Sequence, residues 1–160
     1  MNFEREDHIL YVEYGIITDH TKDMIPNRIK DFETVKSVDI RRVETQTDGA
    51  YVPIFEMLET NHQIEHISIM KSSLRDKDAV ALAKALSKTS SLSHISLPNN
   101  LISKFGATEL ANALEKNCTV LEIGLYGNRI GDEGTIALAI GLKKNSRLTS
   151  LYLESKFCLR

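Results

Sequence analysis

Three residues with metal-binding side chains recur at a constant spacing of 28 residues: His66, His94 and Glu122. Imidazole nitrogens and carboxylate oxygens are ligands of zinc. Equivalent positions on neighbouring strands would place the three in a straight row on one face, which suits a tetrahedral site poorly. No partner that would orient the imidazoles can be named. The sequence therefore favours a solvated polar row over a metal centre, and it predicts neither a metal nor a cofactor.

A second stretch that could carry chemistry is GNRIGDEGT, residues 127–135. Glycines between a strand and a helix can turn backbone N–H groups toward a phosphate. A Walker-type loop also needs a Lys followed by Ser or Thr, which this stretch lacks. Its acidic pair would repel a phosphate at the start of the helix. We interpret Gly127 and Gly131 as turn residues that tolerate a positive φ.

Catalytic residues of other kinds are hard to assemble from this sequence. None of the 5 histidines stands beside a Ser or Cys in a nucleophile motif. No pair of carboxylates can be placed in a cleft. The sequence therefore predicts a protein that is not an enzyme.

The elements that position these residues belong to an internal repeat. Copies of one apolar pattern begin at Ile64, Leu92, Val120 and Leu148, and a weaker copy begins at Val35. In each full copy a period of two, typical of a strand, precedes a helical period. A single unit cannot bury its apolar face alone, so stacking must build the core. The pattern predicts an α/β fold with parallel strands side by side and helices on one face.

The strand motif L-x-x-L-x-L-x-x-N-x-I is similar to the leucine-rich repeat. One copy consists of Leu92, Ile95, Leu97, Asn100 and Ile102. The 28-residue period with a full helix resembles the ribonuclease-inhibitor type, and the resemblance covers residues 35–160. It implies a solenoid in the form of a horseshoe arc, with parallel β-strands on the concave face and α-helices on the convex face. Ser72 and Lys156 replace the asparagine in two other copies.

The units end in LETN, LEKN and LKKN. These endings and the short array resemble the capping domain of tropomodulin and leiomodin, which implies an actin-type partner. The endings are also common in innate-immune receptors and in Ran GTPase activators, which implies a signalling regulator or, for the latter, activation of a small GTPase. That role needs a loop arginine, and we interpret the candidates, Arg75 and Arg129, as ordinary exposed residues. A microbial host-directed effector remains a third alternative.

The two ends of the chain depart from the pattern. Residues 1–34 do not repeat visibly, and we interpret them as an N-terminal cap or a functional arm with a strand at 8–17 and a short helix at 23–32. No helical pattern follows the copy from Leu148, which predicts an uncovered C-terminal end. The helix before that copy carries outward Ile136 and Ile140, which are either single exposed residues or a homodimer or partner contact. A fragment of a longer array is a further alternative for the uncovered end.

The side chains between the apolar strand positions should form three rows on the concave face. The first row is Ser37, His66, His94, Glu122 and Ser150; the second is Asp39, Ser68, Ser96, Gly124 and Tyr152; the third is Arg41, Met70, Pro98, Tyr126 and Glu154. The third row has an apolar centre and charged ends, which is how an interface is often built. We predict partner contact there, with the loops between strands and helices as the alternative.

Composition restricts the function further. The net charge of −2 gives no electrostatic reason to expect nucleic acid or an anionic membrane as a partner. The chain starts without a signal-peptide pattern, and its 2 cysteines, Cys118 and Cys158, are expected to be buried thiols of a reduced, cytoplasmic protein. The sequence thus predicts a non-enzymatic protein–protein interaction module.

Overall fold

A computed structural model describes residues 2–6, 8–18, 21–31 and 34–153. The described strands are β1 (Asn2–Glu6), β2 (Ile9–Ile17), β3 (Ser37–Thr45), β4 (His66–Met70), β5 (His94–Ser96), β6 (Glu122–Gly124) and β7 (Ser150–Tyr152). The described helices are α1 (Met24–Asp31), α2 (Val52–Leu58), α3 (Asp76–Leu86), α4 (Lys104–Leu114) and α5 (Gly131–Leu142). The predicted N-terminal strand and helix both form.

The strands make one sheet in which neighbours in sequence are neighbours in space. β1 pairs with β2 in antiparallel fashion, and every later pair, from β2·β3 to β6·β7, is parallel. Ile67, Ile95 and Ile123 stand side by side in the register, so residues 28 positions apart in sequence are paired on neighbouring strands. The predicted α/β fold with parallel strands is confirmed.

The N-terminal segment continues this arrangement. Ile9 pairs with Ser37, which is again an offset of 28 residues, and Leu10 and Val12 are fully buried in the common core. The sheet therefore runs without a break across the predicted boundary between residues 34 and 35. The role of the N-terminal segment as a cap or an arm stays a prediction.

The core lies between the sheet and the helices. Strand residues such as Ile69, Ile95 and Ile123 and helix residues such as Leu82 and Leu110 are at most 2% exposed. Small residues let the helices approach one another closely. A Cβ added to Gly141 of α5 would lie 2.5 Å from the carbonyl oxygen of Ala111 in α4. The two helices are therefore in backbone contact at this point.

Asn100 joins two neighbouring repeats through its buried side-chain amide. The Oδ1 atom accepts hydrogen bonds from the N–H groups of Ser72 (3.0 Å) and Leu74 (3.3 Å). The Nδ2 group donates to the carbonyls of Ile69 (2.6 Å) and Pro98 (3.3 Å). Asn128 repeats this pattern one unit later. The motif asparagine thus satisfies backbone groups that the ends of the short strands leave unpaired.

A second set of asparagines explains the LETN, LEKN and LKKN endings. Asn117 accepts hydrogen bonds from the N–H groups of Thr119 and Val120 and donates one to the carbonyl of Leu86 in the preceding unit. Asn145 makes the equivalent bonds 28 residues later. These residues shape the turn from each helix into the next strand, and they tie that turn to the unit before it.

The glycine-rich stretch forms a turn as predicted. Gly127 has φ +72°, and the equivalent residues Asn99 and Lys71 also have positive φ, at 55° and 52°. Gly131 has φ +63°. The left-handed conformation therefore belongs to the repeat and recurs with different residue types, since Asn and even Lys adopt it where the surrounding structure demands it.

One expectation about the cysteines is wrong. Cys118 is exposed, because it lies in the turn that Asn117 forms after α4 and not on an apolar face. Cys158 lies outside the described residues. Within the described part of the chain, no helix combines the length and apolar character needed to span a bilayer.

Candidate functional site

The main candidate site is a depression on the strand face, away from the helices. Its volume is about 370 Å³. The lining side chains come from β4 to β7 and the turn after β6; those used below are His66, His94, Glu122, Tyr126, Tyr152 and the small residues between them. We call this the strand-face depression. Period-two alternation positions its side chains, since every second residue of these strands points away from the core.

The two histidines of the first predicted row stack on each other. The rings of His66 and His94 have centroids 4.3 Å apart and are inclined by 21°. The hydroxyl of Ser93 lies 2.8 Å from Nδ1 of His94 and also donates to the carbonyl of Glu65. Burial and the neighbouring imidazole of His94 lower the pKa of His66, against the opposing effect of nearby carboxylates. A neutral His66 at neutral pH follows from this environment.

Two carboxylates near the histidines have different surroundings. Glu65 binds the Lys36 ammonium at 2.8 Å, which lowers the pKa of that carboxyl. Glu122 pairs with His94 in the strand register and lines the depression. The Glu122 N–H donates to the carbonyl of Ser93, whereas within the described ranges its side-chain carboxylate makes no hydrogen bond or salt bridge. The depression therefore contains one half-buried carboxylate whose charge is not neutralised by a cation of the described chain.

The first two predicted rows appear in the register as expected. His66, His94 and Glu122 follow one another across β4, β5 and β6, and Gly124 stands beside Tyr152. The structure brings Tyr126 into the same depression, 39% exposed, next to the 54% exposed Tyr152.

The third predicted row is not continuous. Arg41 stands beside Met70 in the register, and its guanidinium is bound by Asp39. Pro98 is buried beyond the end of β5, because the turn folds back and its carbonyl accepts hydrogen bonds from Lys71 and Asn100. The prediction of Pro98 as a surface contact is therefore wrong. Glu154 lies outside the described residues.

Metal binding receives no support from the geometry. No group of three or more His, Cys, Asp or Glu side chains within residues 2–6, 8–18, 21–31 and 34–153 is arranged to hold an ion. The His66 and His94 rings are stacked with their planes inclined by only 21°, so their nitrogen lone pairs lie in two nearly parallel planes.

A second candidate surface lies at the C-terminal end of the array. Ile136 and Ile140 on α5 are 59% and 55% exposed. In β7 and its flanks, Leu148, Leu151 and Leu153 are only partly buried, whereas their counterparts in the two preceding units are covered. The exposure predicted for the two isoleucines is confirmed, and their role as a contact stays a prediction.

The two loop arginines also come together. Arg75 and Arg129 line one depression with Ser103 and Asp76. Asp76 is already engaged, because its carboxylate accepts hydrogen bonds from the Ser103 hydroxyl (2.6 Å) and from backbone N–H groups. The sequence did not predict that Arg75 and Arg129 line one depression, because the two arginines occupy different positions of the repeat. The small-GTPase alternative stays a prediction.

No protein-family model matches the chain, and no curated protein matches its sequence. Among solved structures, the chain is similar to "Leiomodin-1 Actin-Binding Site 2 (ABS2)", with a TM-score of 0.69 and 23% sequence identity. The match covers 88% of this chain and 80% of that one. At this identity the likeness shows the fold, and it supports the predicted resemblance to leiomodin and tropomodulin. The chain therefore has a leucine-rich-repeat-like α/β fold similar to that of the leiomodin domain.

Proposed function

We propose that this protein is a non-enzymatic protein-binding module with an actin-related partner. The observation that carries the proposal is the likeness of its fold to a leiomodin domain named as an actin-binding site, over 88% of the chain. The exposed tyrosines and unpaired carboxylate of the strand-face depression support a protein-binding surface. Such a partner would place the protein in the cytoplasm.

We further propose that the repeats curve into the arc of a ribonuclease-inhibitor-type solenoid. Parallel strands stand about 4.8 Å apart, whereas packed helices need about 8–10 Å between their axes. Each repeat adds one strand to the sheet and one helix to the helix layer. Because the helices need more space than the strands, the array must bend with the strands on the inside. The strand-face depression would then lie on the concave side, where a partner can be contacted from several strands at once.

Truncation of Tyr126 should weaken binding to actin filaments. We expect Tyr126→Ala to reduce affinity about tenfold in a co-sedimentation assay, because a partly exposed tyrosine at the centre of an interface is a typical hot spot. The measurement is the fraction of protein that pellets with filaments at micromolar concentrations, together with inhibition of elongation at filament ends.

The matched control removes an aromatic ring from the helix side. Phe105 is 69% exposed on α4, and Phe105→Ala should bind filaments like the parent protein. Loss of binding in the Phe105 variant alone would place the contact on the helices. Absence of any co-sedimentation or elongation effect of the parent protein would refute the actin proposal.

We also propose that the C-terminal end contacts a second copy of the chain. Ile136 and Ile140 are exposed and Leu148, Leu151 and Leu153 are only partly buried, so two such apolar surfaces could pair about a two-fold axis. Light scattering should give the mass of a dimer for the parent protein and of a monomer for Ile140→Asp. Val80→Asp, on the exposed face of α3, should leave the dimer intact. A parent protein that is monomeric would exclude this contact.

A further inference from the structure

We propose that the strand-face depression binds an arginine side chain of the protein partner, with Glu122 as the counter-ion and the surrounding aromatic rings as stacking surfaces. This inference rests on the proposed protein-binding role, which it makes specific by naming the chemistry that is recognised. It requires three properties of the site: an available negative charge, flat aromatic surfaces and sufficient space.

The available charge is that of Glu122. The other carboxylate beside the histidines, Glu65, is already bound by Lys36 at 2.8 Å. Glu122 is half-buried, and among residues the structure describes its carboxylate has neither a hydrogen-bonding partner nor a salt-bridge partner. A half-buried carboxylate is stabilised by a cation that supplies hydrogen-bond donors, and a guanidinium does so through two parallel N–H groups.

The aromatic surfaces are supplied by two pairs of residues that line the depression. They are the stacked rings of His66 and His94 and the partly exposed Tyr126 and Tyr152. A guanidinium is planar and weakly hydrated, so it stacks on aromatic faces while its edge pairs with a carboxylate. An ammonium is compact and strongly hydrated, and it gains less from such an environment. The combination therefore favours arginine over lysine.

The space comes from small residues in the second row. Ser68, Ser96 and Gly124 are neighbours in that row and line the floor of the depression. A Cβ on Gly124 would meet nothing closer than the Ser96 hydroxyl at 3.7 Å, so the glycine is not required by packing. Its lack of a side chain instead leaves the floor open, and the resulting volume is about 370 Å³.

The protonation state of His66 suits a cation. His66 faces the charged or titratable groups His94, Glu65 and Glu122, and Glu65 is held by Lys36. Burial first, and His94 second, lower the pKa of His66, so the ring is neutral at neutral pH. The depression then carries the negative charge of Glu122. Acidification that protonates the His66 imidazole adds positive charge beside the carboxylate, and it should weaken binding of a cation.

The test uses N-acetyl-arginine amide as the probe and follows the ring-proton NMR signals of His66 and His94 in the whole protein. We expect saturable shifts with the arginine amide and none with the uncharged N-acetyl-norleucine amide. Glu122→Gln should weaken binding at least about fivefold. Glu109→Gln, which removes an exposed carboxylate on α4, should have no effect.

A second variant tests the space independently of the charge. Gly124→Val keeps Glu122 but places a side chain on the floor of the depression, and it too should weaken binding of the probe. Equal affinity for N-acetyl-lysine amide would overturn the assignment to a guanidinium. Unchanged affinity in Glu122→Gln would overturn the site itself.

The inference and the proposed function can fail separately. Filament binding that Glu122→Gln leaves unchanged would reject the arginine site and retain the actin proposal. Arginine-amide binding that depends on Glu122, in a protein that does not sediment with filaments, would retain the site and reject actin as the partner.

Discussion

Replacing Asn100 by alanine is expected to lower the free energy of unfolding by about 3 kcal/mol, since buried backbone groups lose their hydrogen-bond partner. The amide of Asn100 is 3% exposed and serves the N–H groups of Ser72 and Leu74 and the carbonyl of Ile69. Alanine leaves a cavity and can replace none of these bonds. The shift in the midpoint of urea unfolding, followed by circular dichroism, measures the loss.

Asn112→Ala is the control for this experiment. Asn112 is an exposed residue in the middle of α4, where the same substitution removes an amide that faces solvent. Alanine has the higher helix propensity, so this variant should be as stable as the parent or slightly more stable. Equal midpoints for Asn100→Ala and the parent protein would show that water or a neighbouring group replaces the amide, and that the asparagine does not link the repeats energetically.

Replacing Gly141 by valine should destabilise the protein by about 2–3 kcal/mol, the usual cost of forcing extra atoms into a packed interior. The new side chain would meet the backbone of Ala111, whose carbonyl oxygen would lie 2.5 Å from the added Cβ. Backbone atoms cannot rotate away as a flexible side chain can, so α5 must move from α4. Thermal and urea unfolding of the variant measure the effect.

Ala139→Val separates this packing effect from helix propensity. Ala139 is exposed on the same helix, and valine there costs only about 0.5 kcal/mol through its restricted rotamers. The difference between the two variants is the cost of separating the helices. Similar losses at both positions would mean that α5 is not held tightly against α4.

Some parts of the fold are predictable because the same apolar pattern occurs in several repeats. The spacing of Ile67, Ile95 and Ile123 predicts parallel strands in register, and the structure pairs them so. The same comparison between repeats indicates that Gly127 is a turn residue, because Asn99 and Lys71 replace it in other units and a phosphate loop would need the small residue. All three positions have positive φ.

Other features depend on where short strands stop. A strict period of two extends the surface row to Pro98, but β5 ends at Ser96 and the turn buries the proline. The exposure of Cys118 likewise follows from a turn held by Asn117. A period describes the interior of an element well. It says little about the ends, where side-chain-to-backbone hydrogen bonds decide the path of the chain.

By itself, the sequence determined the α/β class, the order and parallel direction of the repeated strands, the first two surface rows and the outward face of α5. Each follows from the local periodicity of apolar residues within one unit, and the same periodicity recurs in the other units. Only the tertiary structure decided the continuation of the sheet into β2, the stacking of His66 on His94, and the meeting of Glu122 with Tyr126 and Tyr152 in one depression. Apart from the nearness of Glu122 and Tyr126 within one unit, these features join different units. They depend on side-chain directions, strand ends and backbone turns that the periodicity of the sequence does not contain.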